Sequence, residues 1–339
     1  MRKRVVLYRA VPREVLGLLQ ENHEVTVYEA VNESNRKAFL DTLGTAHGIM
    51  GNTLKITSDM LDAAPLLEAV STISAGYDAF DVDALTRRGI ILTNTPDEVT
   101  ETTADLVFAL MLACARRVVE MANWARGGAW VKSVGEPYFG VDVHGTTLGI
   151  VGLGRIGGAV ARRAAHGFGM RVLYANRQAN RQAEDAYGAE RCTLDELLQQ
   201  SDFVCTMVPL TTETHHMIGA RELSLMKKSA ILINASRGPV VDESALIEAL
   251  SSARIRGAGL DVFEREPLPA DSPLYTLPSV VALPHIGSAT RATRDAMAAR
   301  AAKNLIATLS GHNVPAIVNP NAWDMRTAAQ ANPCGSAGG

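Results

Sequence analysis

The sequence predicts an α/β protein of two doubly wound parallel-sheet domains of the Rossmann/flavodoxin-like kind. Three observations carry this. Apolar strands and amphipathic helices alternate from Val5 to about Thr93. A Gly-rich turn, Gly152-Leu-Gly154-Arg-Ile-Gly157, follows a buried-looking strand and opens a helix. A second alternation continues from there to about Leu283. With 339 residues, 47% of them hydrophobic, the chain can bury two cores.

Candidate strands lie at Val5, Val25, Gly48, Val70 and Ile90, with helices over 13–20 and 81–87 among those between them. A long helix is expected over 101–127, where Leu106, Ala109, Leu110, Ala113 and Val118 fit a buried helix with one polar stripe. A strand over 147–151 and a helix over 155–168 flank the Gly-rich turn, and a strand over 170–175 follows. Further strands end just before Asn234 and before Pro284, and residues 289–309 read as helix. The end of the chain, 326–339, is small and polar and is expected to be disordered.

The strand–turn–helix setting makes the glycines a dinucleotide fingerprint. Gly152 permits the tight turn, Gly154 admits a pyrophosphate, and Gly157 brings helix against strand. The helix N-terminus then offers N–H groups to the phosphates. An acidic residue at the tip of the next strand binds the ribose hydroxyl of NAD. Here that tip reads Asn176-Arg177-Gln-Ala-Asn-Arg181, with no carboxylate. Arginine can pair with a 2′-phosphate that a carboxylate would repel. NADP(H), with NADPH preferred, is therefore the expected cofactor, with Arg177 its main phosphate contact and Arg181 a second.

Three residues at strand ends describe a hydride-transfer site. Arg237, after the strand 230–233, can hold a carboxylate bidentately and polarise a carbonyl. His285, after Pro284, titrates near neutral pH and can deliver a proton. Glu266 can keep that imidazole protonated. His23, His47, His144, His166 and His312 have no such context and read as structural. His215-His216 is a pair with no further Cys, His or acid at metal-ligand spacing, so no metal is expected.

These motifs, with Asn234-Ala-Ser-Arg237-Gly-Pro-Val-Val-Asp242, Gly259-Leu-Asp261-Val-Phe-Glu-Arg-Glu266-Pro and Pro284-His285-Ile-Gly-Ser, resemble the D-isomer-specific 2-hydroxyacid dehydrogenase family over nearly the whole chain. Ser71-Thr-Ile-Ser-Ala-Gly-Tyr-Asp78 and Thr214-His-His carry a closer likeness to its reductases of small 2-oxo acids, such as glyoxylate, hydroxypyruvate and 2-ketogluconate. The resemblance implies NADPH-dependent reduction of such acids to D-2-hydroxy acids. It implies that the backbone of Ser74, Ala75 and Gly76 binds the substrate carboxylate and that Asp261 meets the nicotinamide carboxamide. Thr103, Arg155, Ile156, Pro209, Thr214, Ala235 and Gly287 become further cofactor contacts. It also implies a discontinuous substrate domain, 1–101 with 290–325, an NADP-binding domain over 102–289, and an active cleft between them. The Gly-rich, aromatic stretch with Trp130, Tyr138 and Phe139 corresponds to an arm around a second subunit, so a homodimer through 124–146 is expected. Relatives that oxidise phosphite or formate, and a regulator that only senses nicotinamide state, are the competing readings.

Composition excludes several other classes. The net charge of −3 comes without a basic stripe, which argues against a nucleic-acid surface. No apolar run reaches the length of a membrane span and the start is polar, so a cytoplasmic protein is expected. Cys114, Cys192, Cys205 and Cys334 have no paired spacing; Cys114 and Cys205 read as buried thiols of a reducing compartment.

Overall fold

In this computed structural model, which describes residues 2–52 and 54–331 (327–331 by backbone alone), the chain divides into two units, Met1–Val99 with Thr290–Gly339, and Thr100–Ala289. The first contains β1 (Arg4–Leu7), α1 (Arg13–Asn22), β2 (Glu24–Val27), α2 (Arg36–Leu43), β3 (Gly48–Gly51), α3 (Ser58–Asp62), β4 (Ala69–Thr72), α4 (Val82–Arg87) and β5 (Ile91–Thr93). Its strands are parallel in the order β2-β1-β3-β4-β5, the flavodoxin-like order.

The second unit begins with α5 (Thr100–Ala115) and α6 (Val118–Arg126). There follow β6 (Thr147–Val151), α7 (Arg155–Phe168), β7 (Arg171–Ala175), α8 (Arg181–Tyr187), β8 (Glu190–Arg191), α9 (Leu194–Gln200), β9 (Phe203–Thr206) and α10 (Ala220–Leu225). β10 (Ile231–Asn234), α11 (Glu243–Ser251), β11 (Gly257–Leu260) and β12 (Val280–Ala282) complete it. The seven strands are parallel in the order β12-β11-β10-β9-β6-β7-β8. The order reverses at β6, so the turn after β6 lies at the switch point where such sheets bind ligands.

The central strands are continuous apolar runs because both faces of the sheet are covered. Along β10, Ile231 and Ile233 enter one core with Val107, Met111 and Val160, while Leu232 enters the other with Leu197 and Leu246. α12 (Arg291–Leu309) and α13 (Pro320–Ala331) return to the first unit. α12 buries Met297, Ala298, Ala301 and Leu305, and its Ala301 carbonyl accepts a bond of 2.8 Å from the Ser71 hydroxyl of β4.

Four expectations need correction. The helix expected over 101–127 is two helices, because Arg117 takes a left-handed φ of 53°. The returning chain causes the stop: Val141 N–H donates to the Ala115 carbonyl at 2.8 Å, a bond that a continuing helix would have needed. Val118 consequently stands exposed rather than buried, and on α5 Ala109 is exposed too. Cys114 is half-buried, although Cys205 is fully buried. Part of the expected tail is helix: α13 continues to Ala331, since Met, Arg, Ala and Gln are good helix formers whatever their polarity. Residues 332–339, including Cys334, lie outside the described residues.

Candidate active site

The Gly-rich turn is shaped by two close approaches. Gly152 has φ +99°, and a Cβ there would lie 2.7 Å from Val208 Cγ1. A Cβ on Gly157 would lie 2.5 Å from the Gly152 carbonyl oxygen, so a larger residue would push α7 off β6. A Cβ on Gly154 would meet open space; the protein itself does not demand glycine there, whereas an approaching phosphate would. Arg155 and Ile156 form the first turn of α7, Arg155 exposed and Ile156 packed on the core.

Asn176, at the tip of β7, braces this turn. Its Oδ1 accepts from Leu153 N–H at 2.7 Å, and Asn180 Nδ2 donates to the Leu153 carbonyl at 3.0 Å. A groove of about 1210 Å³ opens beside it, lined among others by Gly152, Gly154, Asn176, Arg177, Arg191, Pro209 and Thr214. Thr214 Oγ1 donates to the Pro209 carbonyl at 2.6 Å, and Thr211 N–H donates to Thr214 Oγ1 at 2.8 Å, so this loop is held by its own bonds. Arg181, expected as a second phosphate contact, does not line the groove; it is exposed and paired with Glu184 at 2.9 Å within the first turn of α8. Arg191 of β8 is there instead. It donates to the Asn176 carbonyl at 3.1 Å and the Arg177 carbonyl at 2.8 Å, fixing the segment that carries Arg177. These residues fit a dinucleotide with a 2′-phosphate: a glycine cradle, two guanidinium groups and no carboxylate at the β7 tip.

The carboxyl ends of β10, β11 and β12 bring the second cluster together. Arg237 follows β10 in extended conformation (φ −141°, ψ 140°) and is half-buried, its Nη1 donating to the Ser236 carbonyl at 2.7 Å. The turn beneath it is set by Asn234, which is buried. Its Nδ2 donates to the Arg237 carbonyl at 3.0 Å, and its Oδ1 accepts from Thr206 Oγ1 at 2.9 Å and Ser236 N–H at 3.1 Å. Ala235 is half-buried in this turn.

His285 follows β12 with φ +53°, an uncommon conformation for a non-glycine residue. Its Nδ1 lies 2.7 Å from Glu266 Oε2. An ionised carboxylate only accepts, so Nδ1 carries the proton and Nε2 remains for other chemistry. The bond to Glu266 raises the His285 pKa above its ordinary value; burial and the Arg237 charge oppose this less strongly. Burial pushes Glu266 up, but its bond to His285, the Phe263 amide and the Arg237 charge together hold it below the usual carboxylate range. Charge effects thus couple Arg237 to both members of the pair.

Asp261, at the end of β11, is buried and accepts from Ile286 N–H at 2.7 Å and Gly287 N–H at 2.8 Å. It thereby fixes the turn that carries His285. Burial pushes its carboxyl up, with the two amides pulling the other way. Thr103 of α5 donates to the Gly287 carbonyl at 3.2 Å, closing the same turn from the helix side.

In the first unit, the 74–76 segment follows β4. The Ser74 carbonyl accepts from Thr95 N–H at 2.9 Å, the Ala75 carbonyl from Asn94 Nδ2 at 2.7 Å, and the Gly76 carbonyl from Ser74 Oγ at 2.5 Å. In a trans peptide the next N–H points opposite its carbonyl. The Ala75, Gly76 and Tyr77 amides are therefore turned away from these donors.

A family model described as D-isomer specific 2-hydroxyacid dehydrogenase, NAD binding domain, matches residues 108–287. The glyoxylate/hydroxypyruvate reductase B of Enterobacter sp. (strain 638) is 52% identical over 321 residues, covering 95% of this chain and 99% of its own. The chain belongs to the D-isomer-specific 2-hydroxyacid dehydrogenases. Another family member of the same name, from Yersinia enterocolitica, is 52% identical over 94% of this chain and 98% of its own. Among solved structures, an NADPH-dependent glyoxylate/hydroxypyruvate reductase of Sinorhizobium meliloti in complex with NADP and malonate superposes with a TM-score of 0.82. It is 34% identical and covers 95% of this chain and 98% of that one. The TT0316 protein of Thermus thermophilus reaches 0.85 at 43% identity, with 93% and 99% covered.

Sequence reasoning missed two contributors to this dehydrogenase site and one contact beside it. Asn234 stood inside a quoted motif, yet nothing in one dimension shows that it ties β9, β10 and Arg237 together. Arg191 comes from a two-residue edge strand. The acid that meets His216 is Glu264, 48 positions along the chain and 2.7 Å away in space. Among the described residues, no group of three or more His, Cys, Asp or Glu could hold a metal, and no helix is long and apolar enough to cross a membrane.

Proposed function

We infer that this dehydrogenase reduces small 2-oxo acids, glyoxylate and hydroxypyruvate first and 2-ketogluconate as a larger substrate, to D-2-hydroxy acids. The chain is an NADP(H)-using oxidoreductase acting on CH–OH groups. The observation that carries the assignment of roles is the His285–Glu266 contact of 2.7 Å within the field of Arg237. NADPH, when bound, supplies the hydride. Arg237 holds the substrate carboxylate and polarises the adjacent carbonyl. The backbone of Ser74, Ala75 and Gly76 is the segment of the first unit proposed to bind a carboxylate, with the Ala75 and Gly76 amides oriented by the bonds to the Ser74 and Ala75 carbonyls. His285 gives its Nε2 proton to the carbonyl oxygen, and Glu266 stabilises the imidazolium until then. The dinucleotide lies along the Gly152–Gly157 turn, with Arg177 on the 2′-phosphate and Asp261 toward the carboxamide. Consumption of NADPH and of NADH with each of the three acids tests the reading. Turnover with NADPH well above that with NADH supports it; none with any acid, despite NADPH binding, overturns it.

Arg177→Asp should weaken NADPH binding far more than NADH binding. A lost charge-assisted hydrogen bond is worth about 1.5–3 kcal/mol, or roughly tenfold to a hundredfold in affinity. Titration of the variant with both cofactors reads this directly, and equal losses would remove Arg177 from the phosphate site.

The second unit exposes a cluster of large apolar side chains. Trp130 is 66% and Phe139 56% exposed, and both line a pocket of about 580 Å³ with Trp124 and Tyr138. α6 buries no residue of its own. Apolar patches of this kind mark interaction surfaces, and a second copy of this chain is the proposed occupant, giving a homodimer. Light scattering should return twice the chain mass, and Trp130→Asp with Phe139→Asp should return the monomer.

A further inference from the structure

His216 lies outside every role assigned above, yet two of its contacts reach the segments of the catalytic cluster. It takes a left-handed φ of 51° in the loop between β9 and α10, a conformation uncommon for a non-glycine residue. Its N–H donates to the Pro239 carbonyl at 2.7 Å, and Ile218 N–H donates to the Val240 carbonyl at 3.1 Å. The loop is thereby stitched to the turn immediately after Arg237. The ring of His215 stacks on that of His216 at 4.0 Å between centroids.

The second contact is made by the ring. His216 Nε2 lies 2.7 Å from Glu264 Oε1. The same oxygen accepts from Glu243 N–H at 3.1 Å, and Glu264 N–H donates back to Glu243 Oε2 at 3.2 Å. Glu264 therefore caps the first turn of α11, where the helix end favours negative charge. Glu264 is two positions before Glu266, and Phe263 N–H donates to Glu266 Oε1 at 3.1 Å. The two catalytic segments also touch. A Cβ on Gly238 would lie 1.8 Å from the Phe263 carbonyl carbon, so the turn after Arg237 rests directly on the backbone that presents Glu266.

We propose that His216 and Glu264 form a positioning pair that presses the segment carrying Glu266 against the turn carrying Arg237 and so fixes the catalytic geometry. The pair touches no reacting atom. It acts by holding two neighbours in register, and small displacements there are costly to a reaction that depends on near-attack distances. This rests on the roles given above to Arg237, Glu266 and His285.

The test uses the full-length chain with His216→Ala, His216→Gln, Glu264→Ala and the double alanine variant, each checked for folding by thermal melting. His216→Ala should lower kcat by about tenfold to a hundredfold. The NADPH dissociation constant should change less than about twofold, because the Thr211–Thr214 loop is held by its own bonds. The high-pH limb of the rate profile should move to lower pH, since a looser Glu266 supports the His285 proton less. A glutamine at 216 keeps an N–H donor and should restore most of the rate and the limb. The double variant should lose no more than the worse single variant, as expected of residues acting as one unit. Parent-like kcat and limb in a folded His216→Ala variant, or additive losses in the double, overturn the proposal. His285→Ala serves as the control. If it abolishes turnover while His216→Ala has no effect, only the positioning pair is wrong; if His285→Ala is itself without effect, the catalytic assignment fails.

Discussion

A His285→Ala variant should reduce 2-oxo acids about a hundredfold to ten-thousandfold more slowly than the parent, the usual range for losing a positioned acid. It should still bind NADPH, because none of the residues lining the groove is His285. Steady-state kcat and cofactor titration check the two halves separately. The pH profile adds a sign. Reduction consumes the protonated imidazole, and Glu266 raises the His285 pKa. Activity should therefore persist above the ordinary histidine range and fall as pH rises through the raised value. Glu266→Gln removes the stabilising charge, so its remaining activity should fall at lower pH than the parent's. Full turnover in His285→Ala would end the acid assignment.

Legibility of the fold in the sequence followed from the covering of both sheet faces. Strands such as β6 and β10 are apolar and buried over Leu148–Val151 and Ile231–Ile233, and the change from strand to helix at Gly152–Gly157 is abrupt. The placement of Arg237 and His285 follows from a related reason: a polar residue soon after a buried parallel strand emerges at the carboxyl edge. What stayed hidden was tertiary. The stop at Arg117 comes from residues 140–141 folding back, and helix-forming sequence continues on both sides of it. Arg181 was nearer in sequence to the β7 tip, yet α8 turns it toward Glu184. Arg191 gains its place by sheet pairing, opposite Tyr174, through a strand too short to read. The partner of His216 could not be found by spacing, since the acid comes from the far side of two strands and two helices. At the end of the chain, composition and propensity disagreed, and propensity prevailed as far as Ala331.

The second large effect is expected at Arg237. Arg237→Ala should lower kcat/KM for 2-oxo acids by about a hundredfold to a thousandfold, the typical loss for one preorganised donor at a developing oxyanion. Arg237→Lys should recover only part of it. Lysine returns the charge but not the planar fork, which is oriented here by the Nη1 bond to the Ser236 carbonyl and by Asn234 beneath the turn. Both variants should show higher KM for the acid and little change for NADPH, a division that separates substrate anchoring from cofactor binding. The pH profile distinguishes this site from its neighbours. The Arg237 charge lowers the His285 pKa and also lowers that of Glu266. Removing it lets the imidazole hold its proton to higher pH, so the weak remaining activity of Arg237→Ala should decline at higher pH than the parent's. Glu266→Gln and His216→Ala should move the same limb the opposite way. A shift to lower pH in Arg237→Ala would mean that Arg237 does not lie in the field of the acid–base pair, and the anchoring role would have to pass to another cation.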